Sequence, residues 1–420
     1  MQERLLQFIW QFQYFNVKNL QTTNGESLAI IDVGQLNQNQ GADFLQAKIK
    51  IGNTLLAGSV ELHIKSSDWI LHKHSGDTNY KNVILHVVWE HDKEISGTNF
   101  PTLELQPLVA STMLATYETL MNTAFFVPCE KYLPALGALQ WMTWKDRLLV
   151  ERLERKTQEI EEQLQQTNSD WSEIFWRMLA KGFGAKTNAA AFLQMAASLP
   201  LHILAKHKNQ MNTLEALLLG QCSLLEDEFE NEYAKMLQRE YRFLRKKYGL
   251  KNIAPQPAFL RMRPQNFPTI RLAQLAALVY QSNHLFSKIK ETDSYNALKS
   301  MLSVKANDYW NNHFTLKDDV HDTQPKQTGK PMIDIIIINT IVPIVFTYGK
   351  IMGQEKYKDK ALQWLSEIKS EQNNIITQWQ NAGVACHSAF DSQALLELKN
   401  NYCDHKKCLD CAVGNGILKR

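Results

Sequence analysis

The stretch GADFLQAKIKIG (residues 41–52), followed closely by GSVELHIKSSDW (58–69), decides how the amino-terminal part of this chain folds. Both are rich in β-forming residues, and Gly52-Asn53 with a few further residues separates them, which predicts an antiparallel hairpin of 44–51 with 59–65. Side chains two apart on a strand share a face, so Glu61, His63 and Lys65 project together while Val60, Leu62 and Ile64 project the other way. A turn within 52–58 then carries Asp43 opposite or diagonal to 61–65, within the roughly 5 to 8 Å over which cross-strand side chains interact. Two acids and an imidazole can therefore converge on one metal ion.

Hard oxygen ligands suit Mg²⁺ or Mn²⁺, and Asp43 and Glu61 would hold such an ion with help from the Leu62 carbonyl, leaving positions for water and a scissile phosphate. His63 or Lys65 would orient or deprotonate the water. An Asp behind a short Gly-x pair, a Glu on the next strand, then a helix and a further strand resemble the PD-(D/E)XK core of restriction and repair nucleases, with 27–33 and 83–89 as outer strands. The resemblance covers the first hundred residues or so and implies metal-dependent cleavage of a DNA or RNA phosphodiester. Ala42 stands where that superfamily carries proline and His63 where it carries its catalytic lysine, with Lys65 one step along the same face. Over its whole length the chain is also similar to a bacterial family known only as a domain of unknown function, through the two stretches above, HKHSGDTNYKNVILHVV (72–88), RPQNFPTIRLAQLA (263–276) and NYCDHKKCLDCAVGNGIL (401–418).

Histidine is concentrated in the same region. Of twelve in the chain, His63, His72, His74, His86 and His91 fall within twenty-nine residues, together with Asp68 and Asp77. A loop or short helix after the second strand would bring His72, His74 and Asp77 over the face carrying Glu61, where they could contact phosphate, protonate a leaving oxygen or bind a softer ion such as Zn²⁺. That variant is a His/carboxylate metallohydrolase acting on a small substrate. A third reading is a non-catalytic nucleic-acid-binding or scaffold protein that keeps the fold with a degenerate site. His86, inside the apolar run 83–88, reads as a hydrogen-bonded core residue.

Composition sets wider limits. A chain of 420 residues can hold two or three domains with substantial cores, and a net charge of +3 is too small to argue for nucleic acid by itself. The amino-terminal 5–15 reads as an amphipathic helix without a basic leader, and the apolar run 333–348 is interrupted by Asp334, Asn339 and Pro343 and falls short of the roughly 20 residues that span a bilayer. A protein with no membrane association is expected. Six cysteines, half of them crowded at one end, do not form a secreted disulfide framework and favour a reducing cytoplasm. Gly-x-Gly-x-x-Gly, Gly-x4-Gly-Lys-Ser/Thr and Gly-x-Ser-x-Gly are absent, which argues against a Rossmann oxidoreductase, a P-loop motor and a common esterase.

Beyond about residue 106, alternation gives way to 3.6-residue periodicity over 108–124, 141–166, 171–179, 214–244, 270–289 and 357–380, with breaks at Val127-Pro128, 182–184, 252–268 and 317–331. In this part, 239–247 interleaves basic and aromatic residues, and Arg261, Arg263 and Arg271 surround 264–268; guanidinium forks suit phosphate oxygens, so these arginines are candidate nucleic-acid contacts. At the carboxyl end Cys403-x4-Cys408-x2-Cys411 offers three soft ligands in nine residues, typical of structural Zn²⁺ or an iron-sulfur cluster. A fourth ligand is needed: His405 and Cys386 are candidates, and Cys129 and Cys222 are further thiols that could close the set. The expected architecture is α+β: a small mixed-sheet domain of PD-(D/E)XK type over 1–105, a helical body over 106–385 and a cysteine-bound segment over 386–420.

Overall fold

Seven strands pair into one mixed sheet in a computed structural model that describes residues 1–37, 39–251, 256–318 and 320–419. The strands are β1 (Leu20–Gln21), β2 (Ser27–Asp32), β3 (Gln35–Leu36), β4 (Phe44–Ile51), β5 (Thr54–Lys65), β6 (Val83–Glu90) and β7 (Thr102–Glu104), in the order β1-β2-β4-β5-β6-β7 with β3 also beside β4. The expected hairpin is β4 with β5, antiparallel through Ile51↔Thr54, Ile49↔Leu56, Ala47↔Gly58 and Phe44↔Val60. Its turn is the two-residue Gly52-Asn53, tighter than the 52–58 span expected from the sequence, with Gly52 at φ +56°. Phe44, Ala47, Ile49 and Ile51 of β4 are buried with exposed residues between them, and Gln46 at φ +59° marks the bulge that shifts register between Phe44 and Ala47.

Strand β5 departs from simple alternation because it is buried on both faces from Gly58 to His63. Helix α1 (Glu3–Phe12) packs against it and buries Leu5, Leu6, Phe8, Ile9 and Trp10. From β5 the chain crosses over through the single-turn helix α2 (Asp68–Leu71) and returns as β6, which runs parallel to β5 with Glu61 beside His86 and His63 beside Val88. A methyl group on Gly58 would collide with the Asn82 carbonyl and the Ile84 side chain, so the entry to β6 presses on backbone there.

The chain divides into two compact units. The first comprises 1–142, 382–384 and 398–420; the second comprises 143–381 and 385–397. The boundary expected at 105/106 therefore falls at Met142, because helix α3 (Ser111–Asn122) belongs with the sheet, and the 386–420 segment is shared between the two units instead of standing alone.

The second unit is helical, with three expected stretches each split in two. The 214–244 stretch is Met211–Gln221 and Glu232–Tyr248, the latter capped by Asn231, whose side chain accepts from the Tyr233 and Ala234 N–H groups. The 270–289 stretch breaks at His284 (φ +50°) into Pro268–Gln281 and Leu285–Glu291, and 357–380 becomes Glu355–Glu367 and Asn374–Asn381. The Ala-rich 185–206 region, not expected as helix, forms Ala185–Ser198 and Leu201–Lys206. The apolar run is a 22-residue helix, Lys330–Ile351, long and apolar enough to cross a membrane, but its most apolar 18-residue window is 78% buried within the protein. Pro343 sits just after its π-helical stretch Ile337–Ile341, where wider winding accommodates the ring without ending the helix.

Candidate metal centre

Strand β5, the loop after α2 and strand β6 each contribute imidazoles to one place. His63 Nε2 lies 3.1 Å from His72 Nδ1, and one ligand atom from each of His63, His72 and His74 lies within 4.8 Å of the others. Glu61 Oε1 is 3.6 Å from His63 Nε2 and 3.6 Å from His74 Nε2. These are spacings between atoms that can ligate one ion, and the donor set is imidazole-rich with a single close carboxylate oxygen.

Behind these residues lies a supporting layer. His63 Nδ1 and His86 Nε2 are 2.8 Å apart, and His86 is wholly buried, with its Nδ1 without a hydrogen-bond partner. That contact turns His63 so that Nε2 faces His72 and Glu61, the arrangement by which outer residues orient metal-binding imidazoles. Asp43 and Glu61 do meet, through the main chain: the Asp43 N–H donates to Glu61 Oε2 at 3.0 Å, and the Leu62 N–H donates to Asp43 Oδ2 at 2.9 Å. The Gln7 amide donates to the other Asp43 oxygen at 2.8 Å. Both Asp43 oxygens are thereby engaged, and Asp43 braces Glu61.

Burial is uneven: Glu61 and His63 are buried, His74 is half-buried and His72 is exposed. Burial, then the neighbouring Asp43 charge, pushes Glu61 up to about 8, and burial pushes Asp43 up to about 6 against the pull of the Leu62 N–H. Burial, then the adjacent His86, His72 and His74, drives His63 down to about 2; burial, then His74 and His91, drives His86 down to about 3. His74 is lowered by burial and His72. Neutral imidazole is the form that binds a metal, and burial favours that form at His63 and His74.

Aromatic rings that the sequence did not single out wall the cluster. Tyr80 stacks on His74 with centroids 3.8 Å apart, and Trp69 sets its ring against His63, His74 and His86 while packing on Phe100 at 4.6 Å. The available signal was Trp69 three residues ahead of His72, a spacing that puts both on one side of a helical turn.

Other candidates are placed elsewhere. The Lys65 ammonium, half exposed, lies 3.8 Å from Glu90, and the main-chain N–H of Lys65 donates to Asp68. Asp77 caps the turn Thr78–Tyr80 by accepting from the Asn79 N–H at 2.8 Å. In the second unit, Arg271 donates to Gln274 at 2.9 Å and to Asn266 at 2.6 Å, and its burial lowers it to about 10, while Arg261 and Arg263 are exposed. Tyr241, in the basic run 239–247, is a core residue whose ring leaves space only for glycine at Gly220.

Among the cysteines, Cys386 lies in the second unit beside Asp391 and Lys145, and His405 is exposed. Cys129, Cys403, Cys408 and Cys411 belong to the first unit. Burial, then Cys411, raises Cys129 and Cys408 to about 12 each, and burial, then Cys411, Cys129 and Cys408, holds Cys403 well above the usual thiol range.

The family model described as "Protein of unknown function (DUF2851)" matches residues 3–374, and the chain belongs to that family. No curated protein and no solved structure matches it.

Proposed function

We propose that this member of a family of unknown function is a metal-dependent hydrolase whose divalent ion is held by His63, His72 and His74 with Glu61 beside them. The observation that carries the reading is the convergence of the three imidazoles within 4.8 Å, with Glu61 Oε1 3.6 Å from two of them. An imidazole-rich set favours Zn²⁺, Mn²⁺ or a similar transition ion over Mg²⁺, which prefers all-oxygen surroundings. Such an ion would polarise water and the scissile group. The chain's own groups do the rest: His86 fixes the ring of His63, Asp43 fixes the carboxylate of Glu61, and Glu61 is placed to take a proton. Trp69 and Tyr80 keep bulk water from one side.

A phosphodiester is the substrate class we favour. The linked Asp43 and Glu61, the antiparallel β4–β5 pair and the parallel β6 support a likeness to the PD-(D/E)XK arrangement. That likeness also defines the second reading, a nuclease in which Asp43 and Glu61 hold Mg²⁺ and Lys65 assists. Purified protein, stripped of metal and resupplied with Zn²⁺, Mn²⁺ or Mg²⁺, would be assayed on bis-p-nitrophenyl phosphate and on single- and double-stranded DNA and RNA. The first reading expects turnover with a transition ion that disappears in His72→Ala. Turnover with Mg²⁺ that survives His72→Ala and disappears in Lys65→Ala would replace it with the second. No turnover of any phosphodiester under any ion would remove both.

A further inference from the structure

The helical unit holds a cavity to which the histidine cluster contributes nothing. In helix Trp171–Phe183, Ser172, Phe175, Trp176 and Leu179 recur at the three- and four-residue spacing that puts them on one face. Helices Leu201–Lys206 and Pro268–Gln281 pack on that helix, and Leu285–Glu291 follows the second of them after His284, yet together they leave a space of about 310 Å³. Leu278 and Phe286 complete its wall, and both are buried, as are Phe175, Trp176 and Leu179. The Phe175 and Phe286 rings lie 28° from parallel with centroids 5.2 Å apart. Trp176 donates its indole N–H to the Leu199 carbonyl at 2.9 Å and the Ala196 carbonyl at 3.2 Å, so its ring adds no unmet polar atom to the lining. The rim is different: Ser172, Asn283 and His284 are exposed there, and Lys208 is half-buried. Among the described residues no carboxylate pairs with the Lys208 ammonium. Glu173, the acid beside Ser172, is taken by the Arg177 guanidinium at 3.1 Å and by the Leu201 N–H at 2.9 Å.

We propose that this cavity binds a small aryl carboxylate, with its flat apolar body between Phe175, Trp176 and Phe286 and its anionic head on Lys208. The volume sets the size: it is roughly twice the 150 Å³ that holds one benzene and lies at the lower end of natural ligand sites, which matches a body of about two fused rings. Aromatic walls favour a flat ring system over a flexible chain, because ring faces and edges pack closely and a rigid ligand loses less conformational entropy on binding. The unpaired ammonium selects the head, since a carboxylate there gains a charge-assisted hydrogen bond. Water in the cavity finds few hydrogen-bond partners on such walls, so its release favours the exchange. No residue of this site belongs to the histidine cluster, and the two sites can be tested separately.

The test is isothermal titration of the full chain with 1-naphthoate, with 1-naphthalenemethanol as the uncharged ligand of the same body and octanoate as the flexible acyl counterpart. The expected result is one equivalent of 1-naphthoate bound, about tenfold or more tighter than the alcohol. Lys208→Met should remove that preference while still binding the alcohol, and Lys208→Arg should retain it. Lys206→Met, outside the lining, should bind as the parent does. Ala205 is an exposed lining residue, so Ala205→Trp sets an indole over the opening and should abolish binding of all three ligands. Should Ala205→Trp fail to fold, the Lys208→Met titration decides by itself. Absence of saturable 1-naphthoate binding, or binding undiminished in Ala205→Trp, overturns the proposal. An unchanged preference in Lys208→Met overturns the assignment of the head to that ammonium, and octanoate binding more tightly than 1-naphthoate overturns the choice of an aryl body.

Discussion

Glu61 in the sheet unit and Glu215 in the helical unit are both carboxylates withdrawn from water, yet they end in opposite company. Glu215 is wholly buried, and its Oε2 accepts from the Tyr233 hydroxyl at 2.5 Å and the Trp310 N–H at 3.1 Å. Burial raises it to about 7, and those two donors hold it from rising further. Glu61 is raised to about 8 with another carboxylate as its nearest charge, and its Oε1 looks at imidazole nitrogens that themselves face one another. Glu215 ends one oxygen on donors supplied by rigid neighbours, while its Oε1 is buried without a hydrogen-bond partner. A buried acid surrounded by other ligand atoms terminates in a place where a cation would complete the set.

The comparison can be broken at several points, and the largest effect is expected at the imidazoles. Replacing His72 and His74 together by alanine should remove the bound ion and lower hydrolysis by on the order of a thousandfold or more, while Glu215→Gln leaves both unchanged. Metal analysis alongside steady-state rates decides the point, and equal losses in the two variants would erase the distinction. Trp69→Ala should cost about 3 to 5 kcal/mol of stability, since the ring is buried among His63, His74, His86 and Phe100 and no neighbour can refill its volume. Denaturant unfolding of the sheet unit measures it, and a loss below about 1 kcal/mol would mean that the wall is dispensable.

His86→Ala probes the layer behind the ligands. With the ring of His63 free to turn, affinity for the ion should fall about 10- to 100-fold without loss of the fold. Titration under metal-buffered conditions reads this, and unaltered affinity would make His86 a core residue only. On the other side of the comparison, Glu215 makes a pH-confined prediction. Its folded value of about 7 lies above its ordinary 4.5, so its contribution to stability is whole below about 4.5 and is lost as pH rises through about 7. Glu215→Gln keeps an acceptor for Tyr233 and Trp310 without the charge, and should flatten the fall in melting temperature between those limits. A slope as steep as in the parent would locate the titration elsewhere. The smallest effect belongs to Lys65→Ala: an exposed pair with Glu90 at 3.8 Å contributes less than about 1 kcal/mol, and hydrolysis should change less than about twofold. A large loss of activity there would restore the lysine-assisted reading.

Local signals made part of this legible. The β-forming runs on either side of Gly52-Asn53 specify β4 and β5, and the crowding of His63, His72, His74 and His86 marks where chemistry would concentrate. The same signals misled where tertiary contacts chose the ends of elements. The period over 214–244 is helical throughout, yet the chain reverses after Gln221, with Ser223 at φ +56°, so that Gly220 can receive the ring of Tyr241. Arg271 belongs to a basic cluster by composition, but Asn266 and Gln274 have taken its guanidinium.

By itself the sequence determined that 44–51 pairs in a hairpin with the strand containing 59–65 (though not that this second strand begins at Thr54), that helices follow it, and that one region is rich in ligands, because propensity and periodicity act over a few residues. Only the folded chain decided that β6 lies parallel to β5 with His86 beside Glu61 and that the crossover returns His72 and His74 over that strand. Those convergences depend on register and on which surfaces bury one another. They are properties of the whole chain's packing, and no local window contains them.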